Sequence, residues 1–276
     1  MTPIHRIQQE HGIVGRDDEL ALSLAVLSAG RHLLLEGPVG VGKTTVALAV
    51  CRFLNRKVLR VDGDDRYTEN KLTGWFDPPL VLKQGYSPDA FVPGPLLEAM
   101  RQGAVLFINE LNRMPESVQN VLLPALDERF LIVPQWGEVR AQSGFQVIAT
   151  QNPAEYIATG HLSEALRDRF EHVVLHYQSA EEEARIVVRE TGAEDPEMVR
   201  EAVGITRATR SHPQFKKGAS VRAAISMVAI AQHLSGPDAL YRAACVALPT
   251  RVELRDDAET PIEAVLRDLV AELKKK

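Results

Sequence analysis

The sequence predicts an α/β fold in which helices flank a five-stranded parallel sheet, followed by an all-helical lid domain. Up to about residue 176, short apolar runs alternate with helical patterns, and several of these runs end in polar residues. After residue 177, apolar residues continue at helical spacing and strand patterns stop. We therefore expect a first domain over residues 1–176 and a helical domain over residues 177–276.

The composition is that of an ordinary globular chain. The 276 residues are 45% hydrophobic and 25% charged, which excludes disordered and fibrous classes. A net charge of −5 argues against a broad nucleic-acid surface, and Cys51 and Cys245 lack any metal-binding spacing. The chain starts without an apolar signal segment, and its apolar runs are shorter than the ~18 residues of a membrane span. We expect a cytoplasmic protein.

The chain begins with a helix and then a βαβ pattern. Residues 8–29 carry apolar side chains at spacings of three and four, with Asp17 as the expected N-cap of one helix. The apolar run 33–35 leads through a glycine-rich loop into a helix that ends near Leu54. Residues 57–62 follow as a second strand that ends in acidic turn residues.

The glycine-rich loop has the spacing Gly-x-x-x-x-Gly-Lys-Thr between a strand and a helix, which is the context of a P-loop. Its glycines let backbone N–H groups turn inward, and the helix start adds positive dipole, so a polyphosphate fits there. Lys43 would contact the β and γ phosphates, and Thr44 would ligate magnesium. The predicted nucleotide-binding residues of the loop are Gly37, Pro38, Val39, Gly40, Val41, Gly42, Lys43, Thr44 and Thr45.

A third strand supplies the second half of a hydrolytic site. Residues 63–103 show no clear periodicity, and so long a connection in a compact domain is usually functional. Residues 104–108 then form a fully apolar strand with Asn109 and Glu110 at its carboxyl end, where ligands of parallel sheets collect. Glu110 is the candidate base that orients an attacking water.

The remaining elements follow in a regular order. Residues 115–128 form a helix in which Pro124 predicts a bend. Residues 130–133 and 138–140 form a hairpin, residues 145–150 a strand followed by Asn152, residues 162–170 a short helix, and residues 172–175 a last strand. Later helices are predicted to start at Ser179 or Ala180, at Asp195, at Ser220 and at Pro261.

In this order the motifs resemble the AAA+ ATPases and, within them, the MoxR family, over nearly the whole chain. Residues 13–16 are similar to the adenine-side entry segment, residues 37–44 to Walker A and residues 106–113 to the Walker B region. The resemblance implies the following further site residues: Val14 and Gly15 at the nucleotide, Asn152 as sensor 1, Arg169 as arginine finger with Arg167 as the alternative, and Arg222 as sensor 2. A solvated side chain is the alternative for Arg222.

The resemblance also implies a way of working. It predicts a homo-oligomeric ring, hexameric in the family, with ATP and Mg²⁺ at subunit interfaces and inserts at residues 63–103 and 130–140 that face the pore or a partner. Turnover would remodel or activate a client protein, in the family often one with a von Willebrand factor A domain.

One position departs from the family pattern. The usual Asp-Glu pair is Asn109-Glu110 here, so a neutral amide stands where a carboxylate would hold the magnesium water shell. An amide oxygen still accepts from a metal-bound water but brings no negative charge. Thr44 and Asn109 remain the predicted metal residues. The departure motivates an alternative function, a nucleotide-dependent assembly switch with little hydrolysis.

Two other functions fit the sequence less well. A helicase-like motor would use the hairpin, yet Arg140 is its only base and the chain is acidic. A P-loop small-molecule kinase needs an acceptor pocket, and the sequence has no pattern for one.

Overall fold

The computed structural model describes residues 2–153, 162–257 and 260–273. The chain divides into two compact units. The first comprises Met1–Pro38 and Gly42–His176, and the second comprises Val39–Val41 and Tyr177–Lys276. Among the described residues, helices long and apolar enough to span a bilayer are absent.

The first unit alternates helices and strands. Its helices are α1 (Pro3–His11), α2 (Asp17–Ser28), α3 (Lys43–Phe53), α4 (Glu69–Thr73), α5 (Pro78–Gln84), α6 (Pro95–Gln102), α7 (Glu116–Asn120), α8 (Leu122–Asp127) and α9 (Glu164–Arg167). Its strands are β1 (His32–Glu36), β2 (Val58–Asp62), β3 (Gly74–Phe76), β4 (Phe91–Pro93), β5 (Val105–Asn109), β6 (Phe130–Val133), β7 (Gly137–Arg140), β8 (Gln146–Gln151) and β9 (Phe170–Val174).

The predicted five-stranded parallel sheet is confirmed, with strand order β2-β5-β8-β1-β9. The residues of β8 are all buried, and those of β1 and β5 are buried up to the last one, as expected of central strands covered on both faces. Strand β9 begins two residues earlier than predicted, at Phe170. Because neighbouring strands are parallel, their carboxyl ends meet at one edge of the sheet.

Two helices precede β1, where the sequence predicted one. Gly12 ends α1 in the left-handed conformation (φ 60°), and Arg16, also left-handed (φ 66°), precedes α2. Asp17 is therefore the first residue of α2, and its prediction as the N-cap was wrong. The buried Arg16 guanidinium donates to Glu19 Oε1 at 2.5 Å and to the carbonyl oxygen of His176 at 2.7 Å, which holds this strained turn in place.

The insert at residues 63–103 contains regular structure that the sequence did not reveal. Its strands β3 and β4 pair antiparallel, and three of its short helices flank them. A Cβ added to Gly74 (φ 126°) would lie 2.5 Å from a Phe91 ring carbon, so a side chain there would displace the ring. Elements of three to eight residues are too short to show a clear periodicity, which explains why they were missed.

The second insert is the predicted hairpin, which pairs β6 with β7. Its Trp136 ring meets Phe91 edge to face, with ring centroids 4.1 Å apart, so the two inserts contact each other. The helix predicted over residues 115–128 is divided into α7 and α8. Pro124 has no N–H for the carbonyl of Asn120, and the division lies at this point, so the predicted bend is a break.

The second unit is helical, as predicted, with one small antiparallel sheet that was not predicted. Its elements are α10 (Ala180–Thr191), α11 (Pro196–Ser211), β10 (Phe215–Lys217), α12 (Val221–Ala231), α13 (Ala239–Ala247), β11 (Glu253–Leu254) and α14 (Ile262–Leu273). Three of the predicted helix starts are confirmed: Ser179 forms a capping box with Glu182, Asp195 caps α11 and Ser220 is the N-cap of α12. Helix α14 begins at Ile262, one residue after the predicted Pro261. Small apolar residues of α12 and α13 pack closely in its core.

Candidate functional site

Polar residues collect at the carboxyl edge of the parallel sheet. Strand β2 ends at Asp62, which is in register with Asn109 at the end of β5. On the other side of β5, Thr150 lies near the end of β8. Glu110 follows Asn109 directly, so carboxylate, amide and hydroxyl groups from three strands meet in one place.

The P-loop connects β1 to α3 beside this edge. Gly42 adopts the left-handed conformation (φ 94°) and is the N-cap of α3, so Lys43 is the first helical residue. The Lys43 ammonium donates to the carbonyl oxygens of Gly37 at 2.6 Å and Pro38 at 2.9 Å. The loop therefore holds a positive charge at a helix N-terminus, the arrangement that binds phosphate. Thr45, one residue after Thr44 on α3, is exposed.

A chain of hydrogen bonds joins the P-loop to the ends of β5 and β8. The Thr44 hydroxyl donates to Asn109 Oδ1 at 3.3 Å, and the Thr150 hydroxyl donates to the same oxygen at 3.1 Å. The backbone N–H of Glu110 donates to Thr150 Oγ1 at 2.9 Å. The predicted metal residues Thr44 and Asn109 are thus in direct contact, although they are 65 positions apart.

The backbone of the predicted base is held in an uncommon conformation. Glu110 has φ 60° and ψ 52°, a left-handed geometry that few non-glycine residues adopt and that often marks functional sites. Its carboxylate is 30% exposed, and Arg113 Nε lies 3.1 Å from its Oε2. In this structure the carboxylate is thus paired with an arginine rather than left to solvent.

Asp62 is the site residue that the sequence analysis missed. Its Oδ1 accepts from Asn109 Nδ2 at 3.0 Å, and Arg60 Nη2 lies 2.7 Å from the same oxygen. The hydrogen bond from Arg60 holds the pKa of Asp62 below its usual value, so the carboxylate is ionised and only accepts. Two features of the sequence could have indicated it: an acidic residue ends the predicted second strand, and Asn109 is an amide where the resemblance implies a carboxylate.

The other predicted site residues lie at separate places in the first unit. Asn152 follows the end of β8 and is buried. Arg169 donates from Nε and Nη2 to Asp127 Oδ2, at 2.8 and 2.5 Å, and from Nη1 to the carbonyl oxygen of Ala165 at 2.6 Å. Arg167 ends α9 with an exposed side chain.

Val14 and Gly15 lie in the connection between α1 and α2. Gly15 is left-handed (φ 63°), and its carbonyl oxygen accepts from the Gln8 side chain at 2.8 Å. In the second unit, which takes in residues 39–41, Arg222 is exposed near the start of α12. It lines a pocket of about 490 Å³ together with Val39, Lys217 and Ser220.

The donor set beside the P-loop fits a hard divalent cation. Thr44 and Asn109 offer neutral oxygens, and the carboxylates of Asp62 and Glu110 lie beside Asn109 along the edge of the sheet. Oxygen-only sets of this kind suit magnesium, which keeps several of its waters. Groups of three or more His, Cys, Asp or Glu residues that could hold a metal by themselves are absent from the described residues.

Comparison with known proteins identifies the family. Residues 32–170 match the AAA domain of the dynein-related subfamily, which is half of the chain. The chain belongs to the AAA family. This AAA chain is 31% identical to the gas vesicle ATPase GvpN2 of Halobacterium salinarum over 264 residues, which cover 89% of the chain and 74% of the relative. It is 28% identical to the uncharacterised protein YojN of Bacillus subtilis over 258 residues, which cover 90% and 84%.

Solved structures agree on the fold. NtrX from Brucella abortus, solved in complex with ADP, superposes with a TM-score of 0.60 at 19% identity, over 94% of this chain and 60% of NtrX. The RuvB Holliday junction branch migration motor of Thermotoga maritima gives a TM-score of 0.56 at 18% identity, over 84% of this chain and 70% of RuvB. The structures support the fold, and the match of residues 32–170 to the AAA domain confirms the AAA part of the family resemblance.

Proposed function

We propose that this AAA protein is a MoxR-type ATPase that binds ATP with Mg²⁺ at the P-loop and hydrolyses it to drive work on another protein. The observation that carries the proposal is the hydrogen-bonded set of Thr44, Asn109, Thr150 and Glu110 beside Lys43. It joins a phosphate-binding loop to a carboxylate, the two parts that nucleotide hydrolysis needs. The relatives named gas vesicle ATPases and the ADP complex of NtrX support the same function.

Each residue has a distinct task in this proposal. Lys43 contacts the β and γ phosphates once its bonds to the loop carbonyls are exchanged for phosphate oxygens. Thr44 and Asn109 would hold Mg²⁺, which neutralises phosphate charge when bound. Glu110 orients the attacking water, and for this its carboxylate has to leave Arg113. Asn152 helps to orient the same water.

The arginines at the end of α9 supply the argument for a ring. An arginine finger acts on the nucleotide of a neighbouring subunit, so catalysis there requires an oligomer. We retain Arg169 as the finger, and its bonds to Asp127 would then break on assembly. Arg167, which is exposed, is the alternative. The proposal includes a hexameric ring and a client protein, of the von Willebrand factor A class that the MoxR resemblance implies.

Steady-state phosphate release with Mg²⁺ tests the proposal. Glu110→Gln should lower turnover by at least ~100-fold while nucleotide affinity is kept, because only water positioning is lost. Arg169→Ala should keep affinity and lower turnover of the assembled protein by ~10³-fold or more. If Arg167→Ala has this effect and Arg169→Ala does not, Arg167 is the finger. A monomer as fast as the oligomer would contradict the ring.

A second function, an assembly switch with little hydrolysis, is favoured by two observations. Asn109 replaces a carboxylate, and the Glu110 carboxylate is paired with Arg113. Such a switch would form a larger oligomer on binding ATP, which light scattering can measure. The unmodified protein and Glu110→Gln would release phosphate at the same low rate. A clear difference between the two rates would exclude it.

A further inference from the structure

An asparagine at position 109 creates a problem that an aspartate does not have. The two oxygens of a carboxylate are equivalent, so either can face a metal or its waters. The side-chain amide of Asn109 has one acceptor and one donor end, and only the Oδ1 end is useful to a cation. Something in the protein has to fix which end faces the P-loop.

The contacts of Asn109 leave one orientation. Arg60 donates to both oxygens of the Asp62 carboxylate, which acts as an acceptor here, so the nitrogen of the amide faces it; the Nδ2–Oδ1 distance is 3.0 Å. On the other side, Thr150 Oγ1 accepts from the N–H of Glu110, which leaves its hydroxyl hydrogen for Asn109 Oδ1 at 3.1 Å. The reversed amide would set an oxygen against the Asp62 carboxylate and lose the hydroxyl donation from Thr150.

The backbone holds Asp62 where it can do this. Asp62 and Asn109 are paired in register on neighbouring parallel strands, and the next residue, Gly63, donates its N–H to the Asn109 carbonyl oxygen at 2.7 Å. A Cβ on Gly63 would lie 2.1 Å from the Glu110 carbonyl oxygen, so only glycine permits this approach. Arg60 donates to both carboxylate oxygens, from Nε to Oδ2 at 3.1 Å and from Nη2 to Oδ1 at 2.7 Å, which limits rotation of the carboxylate.

We propose that Asp62 is a positioning residue for magnesium: it fixes the Asn109 amide with its oxygen toward Thr44, so that Asp62 and Asn109 together replace the single Walker B aspartate. This inference rests on the proposed function, because it assumes that Mg²⁺ enters with the nucleotide. The sequence pattern places the magnesium-binding residue of this edge on β5 alone, whereas the proposal adds Asp62 on β2. It also accounts for an amide at a position where the family has a charge.

The test measures the contribution of magnesium to nucleotide affinity, as the ratio of the ADP dissociation constants in EDTA and in excess Mg²⁺. Asp62→Ala should lower this ratio by roughly 10-fold, since a hydrogen bond to a charged group is lost and the amide can turn. Affinity in EDTA should not change, which separates the effect from misfolding. Asp64→Ala, which removes the same charge from a residue two positions further on, should leave the ratio unchanged.

A second variant tests the orientation argument itself. Asn109→Asp alone sets two carboxylates side by side, so the ratio should also fall through their mutual repulsion. Asn109→Asp combined with Asp62→Ala should restore the ratio at least to that of the unmodified protein, because a carboxylate needs no orientation. If the double variant instead lowered the ratio by the combined effect of the two single variants, the proposal would be overturned.

Failure of this inference can be told apart from failure of the proposed function. If the unmodified chain gains affinity from Mg²⁺ and Asp62→Ala leaves that gain intact, Asp62 has no role, while the ATPase proposal stands. If the unmodified chain binds ADP without any gain from Mg²⁺, the magnesium site and the role of Asp62 are both overturned.

Discussion

Two groups of polar residues in this protein are built in opposite ways. In the second unit, the Glu183 side chain is only 3% exposed and lies 2.8 Å from Arg210 and 3.3 Å from Arg207. Arg210 also donates to the carbonyl oxygen of Ala219 at 2.8 Å and lies over the Tyr177 ring, 3.9 Å from its centroid. This cluster is closed, because the buried Glu183 carboxylate is paired with two arginines.

At the sheet edge of the first unit, the polar groups stay within reach of solvent. Glu110 is 30% exposed and Asp62 is 59% exposed, although both make ion pairs. Exposed pairs of this kind contribute little to stability, whereas a buried charge that loses its partner is costly. The difference suggests that the cluster around Glu183 maintains the fold and that the sheet edge is available for a ligand.

The largest effect is expected from opening the closed cluster. Glu183→Ala would leave two arginines without their carboxylate, one of them only 13% exposed, and should lower the free energy of unfolding by ~3–5 kcal/mol. Urea unfolding followed by circular dichroism measures this. Glu181→Ala, an exposed acid on the same helix, is the matched control. If both variants lost the same small amount of unfolding free energy, the Glu183 cluster would contribute no more to stability than exposed acids do.

The first unit also contains a buried polar side chain whose partners are all in the protein, the imidazole of His32. His32 accepts from the Val147 N–H at Nδ1 and contacts the Leu126 carbonyl oxygen at Nε2, and burial lowers its pKa from 6.5 to about 4. A pKa lowered on folding means that stability is present above pH 6.5 and is lost as the pH falls toward 4, by about 3 kcal/mol.

Unfolding free energies at pH 7 and pH 4 measure this loss. His32→Gln should remove that part of the pH dependence, while His233→Gln, at an exposed position, should keep it. If the unmodified protein and both variants lost the same unfolding free energy between pH 7 and pH 4, burial of His32 would not be the cause of the loss.

At the sheet edge and the adjoining P-loop, a substitution should change nucleotide affinity without changing the free energy of unfolding. Lys43→Ala removes the charge that we propose contacts the phosphates and should weaken nucleotide affinity by at least ~100-fold, or ~2.7 kcal/mol, with little change in unfolding free energy. Calorimetric titration with ADP and Mg²⁺ measures the affinity, and the exposed Lys57→Ala is the control. Unchanged affinity would contradict the phosphate role of the loop.

The smallest effect concerns a local cap in the second unit. Ser179→Ala removes the side-chain acceptor of the capping box and should cost ~1 kcal/mol of stability, because one helix N–H loses its partner. Ser179→Asp keeps an acceptor and should retain most of it. Thermal unfolding of both variants would show whether a single exposed cap matters beside the buried cluster.

Short-range patterns explain how much of the fold was predicted. The P-loop, the apolar strands and the caps at Ser179 and Asp195 each depend on residues within about one turn or one strand, so the sequence alone reveals them. Elements of only three to eight residues left too weak a pattern, as in the insert at residues 63–103. The left-handed turn at Arg16 was missed because its partner His176 is 160 positions away.

The sequence by itself determined that this chain has a glycine-rich loop with P-loop spacing between a strand and a helix, that Asn109 and Glu110 lie at the carboxyl end of a buried strand, and that helices fill the second part. Only the tertiary structure decided that β2 lies beside β5, which brings Asp62 to Asn109 across 47 positions, and that Asp127 holds Arg169. The reason is physical: helix periodicity and caps are set by neighbouring residues, whereas strand order and register are set by how the whole core packs.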